Sequence, residues 1–279
     1  MNYRSIFLHL DSSPVCAGRI DFAINLALAH ESHLTAIAVC GWPAPTTIVA
    51  TDLLGFGPLI PPSDESRQAA QGVCERFADR ARERGLTSFS TRVEEVAGGQ
   101  VLVQQARCYD LAVLGQPERD GGDPGVPADL VVQVLMGSGR PMLVVPWAGR
   151  FNAPPKTAVV AWSGSRESAR AVADALPLLT RAKAVHVLGF DRTRAEGVDT
   201  QSGLKAVQQW LGHHRIQVQL HHEIEVIDFG EALLSRVSDL GADLIVLGGY
   251  GHSRAAEFVL GGMTRTILSS MTAPVLLSH

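Results

Sequence analysis

Two seven-residue stretches, YDLAVLG at 109–115 and ADLIVLG at 242–248, carry one pattern: an aspartate, a continuous apolar run, then glycine. A run that is apolar on both faces reads as a strand buried in a parallel sheet, whereas a half-exposed strand would alternate. Each is followed by a second apolar run opened by proline, RPMLVVP at 140–146 and APVLLS at 273–278. Proline is tolerated at the first position of a strand, where no ladder bond needs its missing N–H. Asp110 precedes Pro141 by 31 residues and Asp243 precedes Pro274 by the same 31, so the chain reads as two copies of one unit, offset by 133.

Farther upstream, SIFLHLDSS at 5–13 matches TAVVAWSGS at 157–165, two strands that break into small polar residues before a helical stretch. Asp11 pairs with Ser163. The first copy has about 19 extra residues, and the Pro- and Gly-rich segment 41–65 is expected to hold them as a long loop, with or without a short helical turn. In the second copy the predicted elements are Ala158 to Trp162, Arg166 to Leu179, Ala184 to Phe190, Ser202 to His213, Ile216 to Glu223, Gly230 to Leu240, Leu244 to Gly248, Met263 to Met271, and Val275 to Leu277. This alternation predicts an α/β fold of two tandem open parallel five-stranded sheets with helices on both faces. The expected domains are 1–147 and 155–279, joined through the Gly- and Pro-containing stretch 148–156.

With 46% apolar and 19% charged residues the chain can bury a core. Its formal net charge is −4, and no run of Lys or Arg marks a nucleic-acid or membrane surface, so the expected ligand is small. The opening MNYRSIFLHLDSS is too briefly apolar for a signal sequence or a membrane span, which makes the cytoplasm the expected compartment. Cys16, Cys40, Cys74 and Cys108 form no C-x-x-C and are expected to be buried free thiols.

The stretch GGYGHSRAAEFVLGGMT at 248–264 follows the second copy's fourth strand, and ligands of open parallel sheets sit beyond such strand ends. Two readings stand side by side. As a turn, Gly248 and Gly249 leave the strand, Gly251 reverses the chain, and Gly261–Gly262 admit it to a helix that buries Met263, Ile267, Leu268 and Met271. As a cradle, Gly262, Met263 and Thr264 offer backbone N–H groups at a helix start, where phosphate is favoured, and the Thr264 hydroxyl adds one more bond. His252 and Arg254 are either phosphate contacts or solvated loop residues, with Glu257 able to pair with them.

Gly248, Gly251 and Gly261 realise the spacing G-x2-G-x9-G, followed by a hydroxyl-bearing helix start and APVLLS. In this the chain resembles the universal stress protein family over nearly its whole length, as two tandem copies. The resemblance implies sheets of order 3-2-1-4-5 related by a pseudo-twofold axis. It also implies ATP as ligand, with Mg accompanying it, the adenine near Ser163 and the phosphates on the glycine loop. Two positions depart from the family pattern: Gly262 stands where Ser or Thr is common, and Ser163 where the family carries Asp. In the first copy Gly248, Gly251, Gly261, Gly262 and Thr264 correspond to Gly115, Glu118, Ala128, Asp129 and Val131, so the cradle is absent there. Asp129 reads as a helix N-cap, and Asp11 keeps the first-strand carboxylate.

His213, His214, His221 and His222 flank the second copy's third strand, but neighbouring strand residues point to opposite faces, so one ion cannot easily use both members of a pair. No G-x-S-x-G, H-E-x-x-H or G-x-x-x-x-G-K-[ST] is present. The reading is therefore a nucleotide-binding, stress-response or regulatory protein rather than an enzyme, with slow incidental ATP hydrolysis as the most that is expected. A ligand-free scaffold that recruits a protein partner through 41–65, and a dedicated nucleotide hydrolase, are the rivals. Met142 to Val145 and Val275 to Leu277 would be exposed edges, which predicts that they pair as an intrachain pseudo-dimer or in a homo-oligomer.

Overall fold

The computed structural model describes residues 2–40, 62–95, 99–117, 126, 129–151, 153–193, 197–224, 226–250 and 262–279. By contacts the chain divides into two compact units, Tyr3–Ser138 on the one hand and Met1–Asn2 with Gly139–His279 on the other.

The first unit contains β1 (Ser5–Leu10), α1 (Cys16–His30), β2 (His33–Val39), α2 (Asp64–Glu83), β3 (Phe89–Glu94), α3 (Gln100–Ala106), β4 (Leu111–Gly115) and α4 (Leu130–Ser138). Its sheet runs β3-β2-β1-β4, with β1 parallel to both neighbours. Ile6, Phe7 and Leu8 are fully buried, as an apolar run on a doubly covered strand requires. The aspartate of YDLAVLG is a structural clip. The Asp110 carboxylate accepts the backbone N–H groups of Arg4 (2.7 Å) and Ser5 (2.9 Å), tying the start of β4 to the start of β1.

The second unit contains β5 (Met142–Val145), β6 (Thr157–Ala161), α5 (Arg166–Leu179), β7 (Ala184–Phe190), α6 (Gly197–His213), β8 (Gln219–Glu223), α7 (Phe229–Asp239), β9 (Leu244–Gly248), α8 (Gly262–Ser270) and β10 (Val275–Ser278). The order β10-β9-β6-β7-β8 is the expected 5-4-1-2-3, all parallel. Asp243 repeats the clip, accepting from the N–H groups of Lys156 and Thr157, each at 2.8 Å. β5, the fifth strand of the first sequence copy, pairs antiparallel with β10. The register, Val275 to Val144, Leu276 to Leu143 and Leu277 to Met142, is symmetric under exchange of the two copies about Leu143 and Leu276.

Several local expectations are corrected. α2 starts at Asp64, inside the segment 41–65 read as loop, because the Ser63 hydroxyl caps it by accepting from the Ser66 N–H at 3.1 Å. α6 begins at Gly197, five residues before Ser202. On α8 the buried stripe is Thr264, Ile267 and Leu268, with Met263 only half-buried. Cys108 is exposed, while the other three cysteines are buried. Among the described residues no helix is long and apolar enough to cross a membrane.

Candidate functional site

β6 has β7 on one side and β9 on the other, so the chain's direction of travel across the second unit's sheet reverses at β6/β9. The ladder aligns Ala161 with both Leu188 and Leu247. It continues one residue further, where the Trp162 N–H donates to the Leu188 carbonyl at 2.8 Å. Ser163 thus emerges at the carboxyl end of β6, exposed, its hydroxyl donating to that of Ser165 at 3.2 Å. Ser165 in turn caps α5, accepting the Ser168 N–H at 3.2 Å. Gly164 makes the turn between them in the left-handed region, φ 70°, where a side chain is disfavoured.

Gly248 ends β9 beside this turn. A Cβ there would stand 2.5 Å from the Ser168 nitrogen and 2.6 Å from the Glu167 carbonyl carbon, so the first turn of α5 lies directly on it. The turn reading of Gly248 accordingly has a packing cause. The Gly249 N–H donates to the Ser278 carbonyl at 2.8 Å, and Nδ1 of His279 bonds the Gly249 carbonyl at 3.0 Å. The chain leaves the strand through Tyr250 at φ 57°. No sequence pattern singles this residue out. Its hydroxyl is buried without a hydrogen-bond partner among the described residues, and burial pushes its pKa up to about 12.

At the helix start, Gly262 is exposed with nothing among the described residues within 4 Å of a Cβ built on it, Met263 is half-buried, and Thr264 is 4% exposed on the core side. Ser163 and Gly248 are thereby brought to the ends of neighbouring strands. Gly251, His252, Arg254, Glu257 and Gly261 lie outside the described residues, as do Glu118 and Ala128.

The first unit's equivalent crevice, between β1 and β4, is filled from within. Arg19 is 3% exposed; its Nε donates to the His9 carbonyl at 3.1 Å, and its guanidinium pairs with the Asp11 carboxylate. A Cβ on Gly115 would collide with that guanidinium. Asp11 also accepts the Ser13 N–H at 3.0 Å. Burial opposes the charge on Asp11, but Arg19, His9 and Ser13 outweigh it and hold its carboxyl below the ordinary value. The retained first-strand carboxylate is therefore committed to a residue eight positions along the chain, on α1. Asp129 stands immediately before α4, its carbonyl accepting the Gln133 N–H at 2.9 Å.

The histidines disperse as strand alternation demands. Nε2 of His221 lies 3.1 Å from Nδ1 of His186 on one face, while Nε2 of His222 lies 2.6 Å from Oδ2 of Asp191 on the other. His214 packs edge-on against Trp210, and His213 is exposed. Among the described residues no three His, Cys, Asp or Glu side chains are placed to share a metal ion.

Residues 155–279 match the sequence model of the universal stress protein family. A comparison with curated protein sequences found no match. Among solved structures, a universal stress protein from Archaeoglobus fulgidus DSM 4304 superposes with a TM-score of 0.72 at 15% identity, covering 100% of this chain and 99% of its own. A functionally unknown protein from Pseudomonas aeruginosa PAO1 superposes with a TM-score of 0.58 at 18% identity, covering 99% of this chain and 92% of its own. Residues 155–279 therefore belong to the universal stress protein family, and the chain as a whole has the fold of a universal stress protein in which that unit is written twice.

Proposed function

We propose that this protein is a nucleotide-binding regulatory protein of the stress response, acting in the cytoplasm, that takes one ATP per chain at the carboxyl ends of β6 and β9. The observation that carries the reading is the strand order β10-β9-β6-β7-β8, which opens the switch-point crevice at Ser163 and Gly248 and sends the chain from β9 into α8. Ser163 offers a hydroxyl to the base or ribose. Gly262, Met263 and Thr264 offer the N–H groups of a helix start to the phosphates, with Mg carried in by the nucleotide. Gly251, His252, Arg254 and Gly261 complete the proposed contacts. The first half contributes no second site, since Arg19 occupies its crevice. Among the described residues at the crevice, Ser163, Gly248, Gly262, Met263 and Thr264, none is a general base, and turnover is expected to be negligible beside the ~1 to 1,000 per second of ordinary enzymes.

Calorimetric titration with Mg-ATP tests this. One site per chain is expected. Gly262→Asp should abolish binding without unfolding the protein, because its Cβ meets none of the described residues within 4 Å while its carboxylate opposes the phosphates. Two equal sites, or undiminished binding by Gly262→Asp, would remove the assignment and leave the stretch 248–264 a turn.

A further inference from the structure

The first unit carries a cleft of about 410 Å³ between α1 and α2, bounded at one end by the loop from Asp11 to Pro14. Its volume lies in the range of small-molecule pockets, roughly 300–1,000 Å³. Ile20 and Val73, both almost fully buried, lie at its base, and Ala17 adds to the apolar wall. The two carboxylates that line it are already neutralised: Asp11 by Arg19, and Asp21 by Arg80 at 2.7 Å, with Arg84 at 3.6 Å. Along α2 and its cap, Arg67, Arg80, Arg82 and Arg84 each hold a carboxylate within 4.0 Å. Arg76 is the arginine of this row with no such partner among the described residues, and it lines the cleft. The lining is thus left with one uncompensated positive charge beside an apolar base.

We propose that this cleft is a binding site for a small amphipathic anion, a compact apolar or aromatic body bearing one carboxylate or phosphate, with Arg76 as the group that receives the anionic end. A guanidinium presents paired N–H donors that match the oxygens of a carboxylate or phosphate. Ile20, Val73 and Ala17 would meet the apolar body. The site is independent of the ATP assignment, because it lies in the unit whose switch-point crevice Arg19 fills.

Benzoate, benzyl alcohol and inorganic phosphate serve as probes, each titrated into the full-length isotope-labelled chain and followed by amide chemical shifts. Benzoate should produce saturable shifts at Ser13, Ala17, Val73 and Arg76. Benzyl alcohol, which keeps the ring and loses the charge, and phosphate, which keeps the charge and loses the ring, should each bind about tenfold more weakly. Arg76→Gln should lower benzoate affinity about tenfold, as the loss of a charge-assisted hydrogen bond does, and Arg76→Lys should restore part of it. Arg76 is exposed, so neither variant threatens the core. Absence of saturable shifts at the cleft, equal affinity for benzoate and benzyl alcohol, or unchanged affinity in Arg76→Gln would each overturn the proposal.

Discussion

A Cβ on Gly248 would press on the backbone of α5, whereas one on Gly72, inside α2, meets among the described residues only Nη1 of Arg76 at 3.5 Å. The two glycines therefore predict opposite outcomes in urea denaturation. Gly248→Ala should destabilise by about 1–3 kcal/mol through overpacking that backbone cannot easily relieve. Gly72→Ala should stabilise by about 1 kcal/mol, since an interior helical glycine gives up that much relative to alanine. At the Asp11–Arg19 pair, Arg19→Leu should cost about 3–5 kcal/mol, because it strands a buried carboxylate. The Asp11 carboxyl is held below its unfolded value, so its contribution is present above the unfolded pKa and is lost as pH falls through the folded one. In Arg19→Leu that acid-side loss should disappear from the pH profile of stability.

At the scale of elements, β7 and β8 are joined by the contact between His186 and His221 as well as by their ladder. Burial first, and then the His221 charge, lowers the pKa of His186; burial first, and then the Arg236 charge, lowers that of His221, against a raising influence of Glu223. Both histidines resist protonation in the folded state, so the unfolded chain binds more protons once pH falls below the ordinary value of 6.5. Stability should decline from pH 7 toward pH 5, and the decline should be shallower in the double variant His186→Gln, His221→Gln, measured by denaturant titration at each pH. Strand alternation in QLHHE at 219–223 is legible: that His221 and His222 face opposite ways follows from period two alone. That His222 meets Asp191, and His221 meets His186, depends on β7 and β8 being neighbours in a given register. On α8 the 3.6-residue period was readable, but its phase was not, because Met263 and Thr264 are one step apart and only packing against α7 chooses between them.

For the molecule as a whole, the exchange-symmetric register of β5 and β10 makes Leu143 and Leu276 a directly paired, fully buried couple. Leu143→Ala and Leu276→Ala should each cost about 2–5 kcal/mol, and the double variant less than the sum, since the two side chains share one environment. Differential scanning calorimetry of the four forms measures this coupling. The repeat of 133, the strand identities and the α/β class were all legible in the amino-acid order, because buried parallel strands need unbroken apolar runs and helices need their own period, and both are local properties. The aspartates of YDLAVLG and ADLIVLG could be seen as a repeat, yet the way each accepts two N–H groups from the start of a strand far away in the chain became visible only with β1 beside β4 and β6 beside β9. Tyr250 and Arg19 escaped for the same reason: a left-handed residue with a buried hydroxyl, and a guanidinium filling the space over Gly115, are defined by what surrounds them. Local periodicity is written in neighbouring residues, while the closing of the crevice between β1 and β4 is set by groups that only the folded sheet brings within hydrogen-bonding reach.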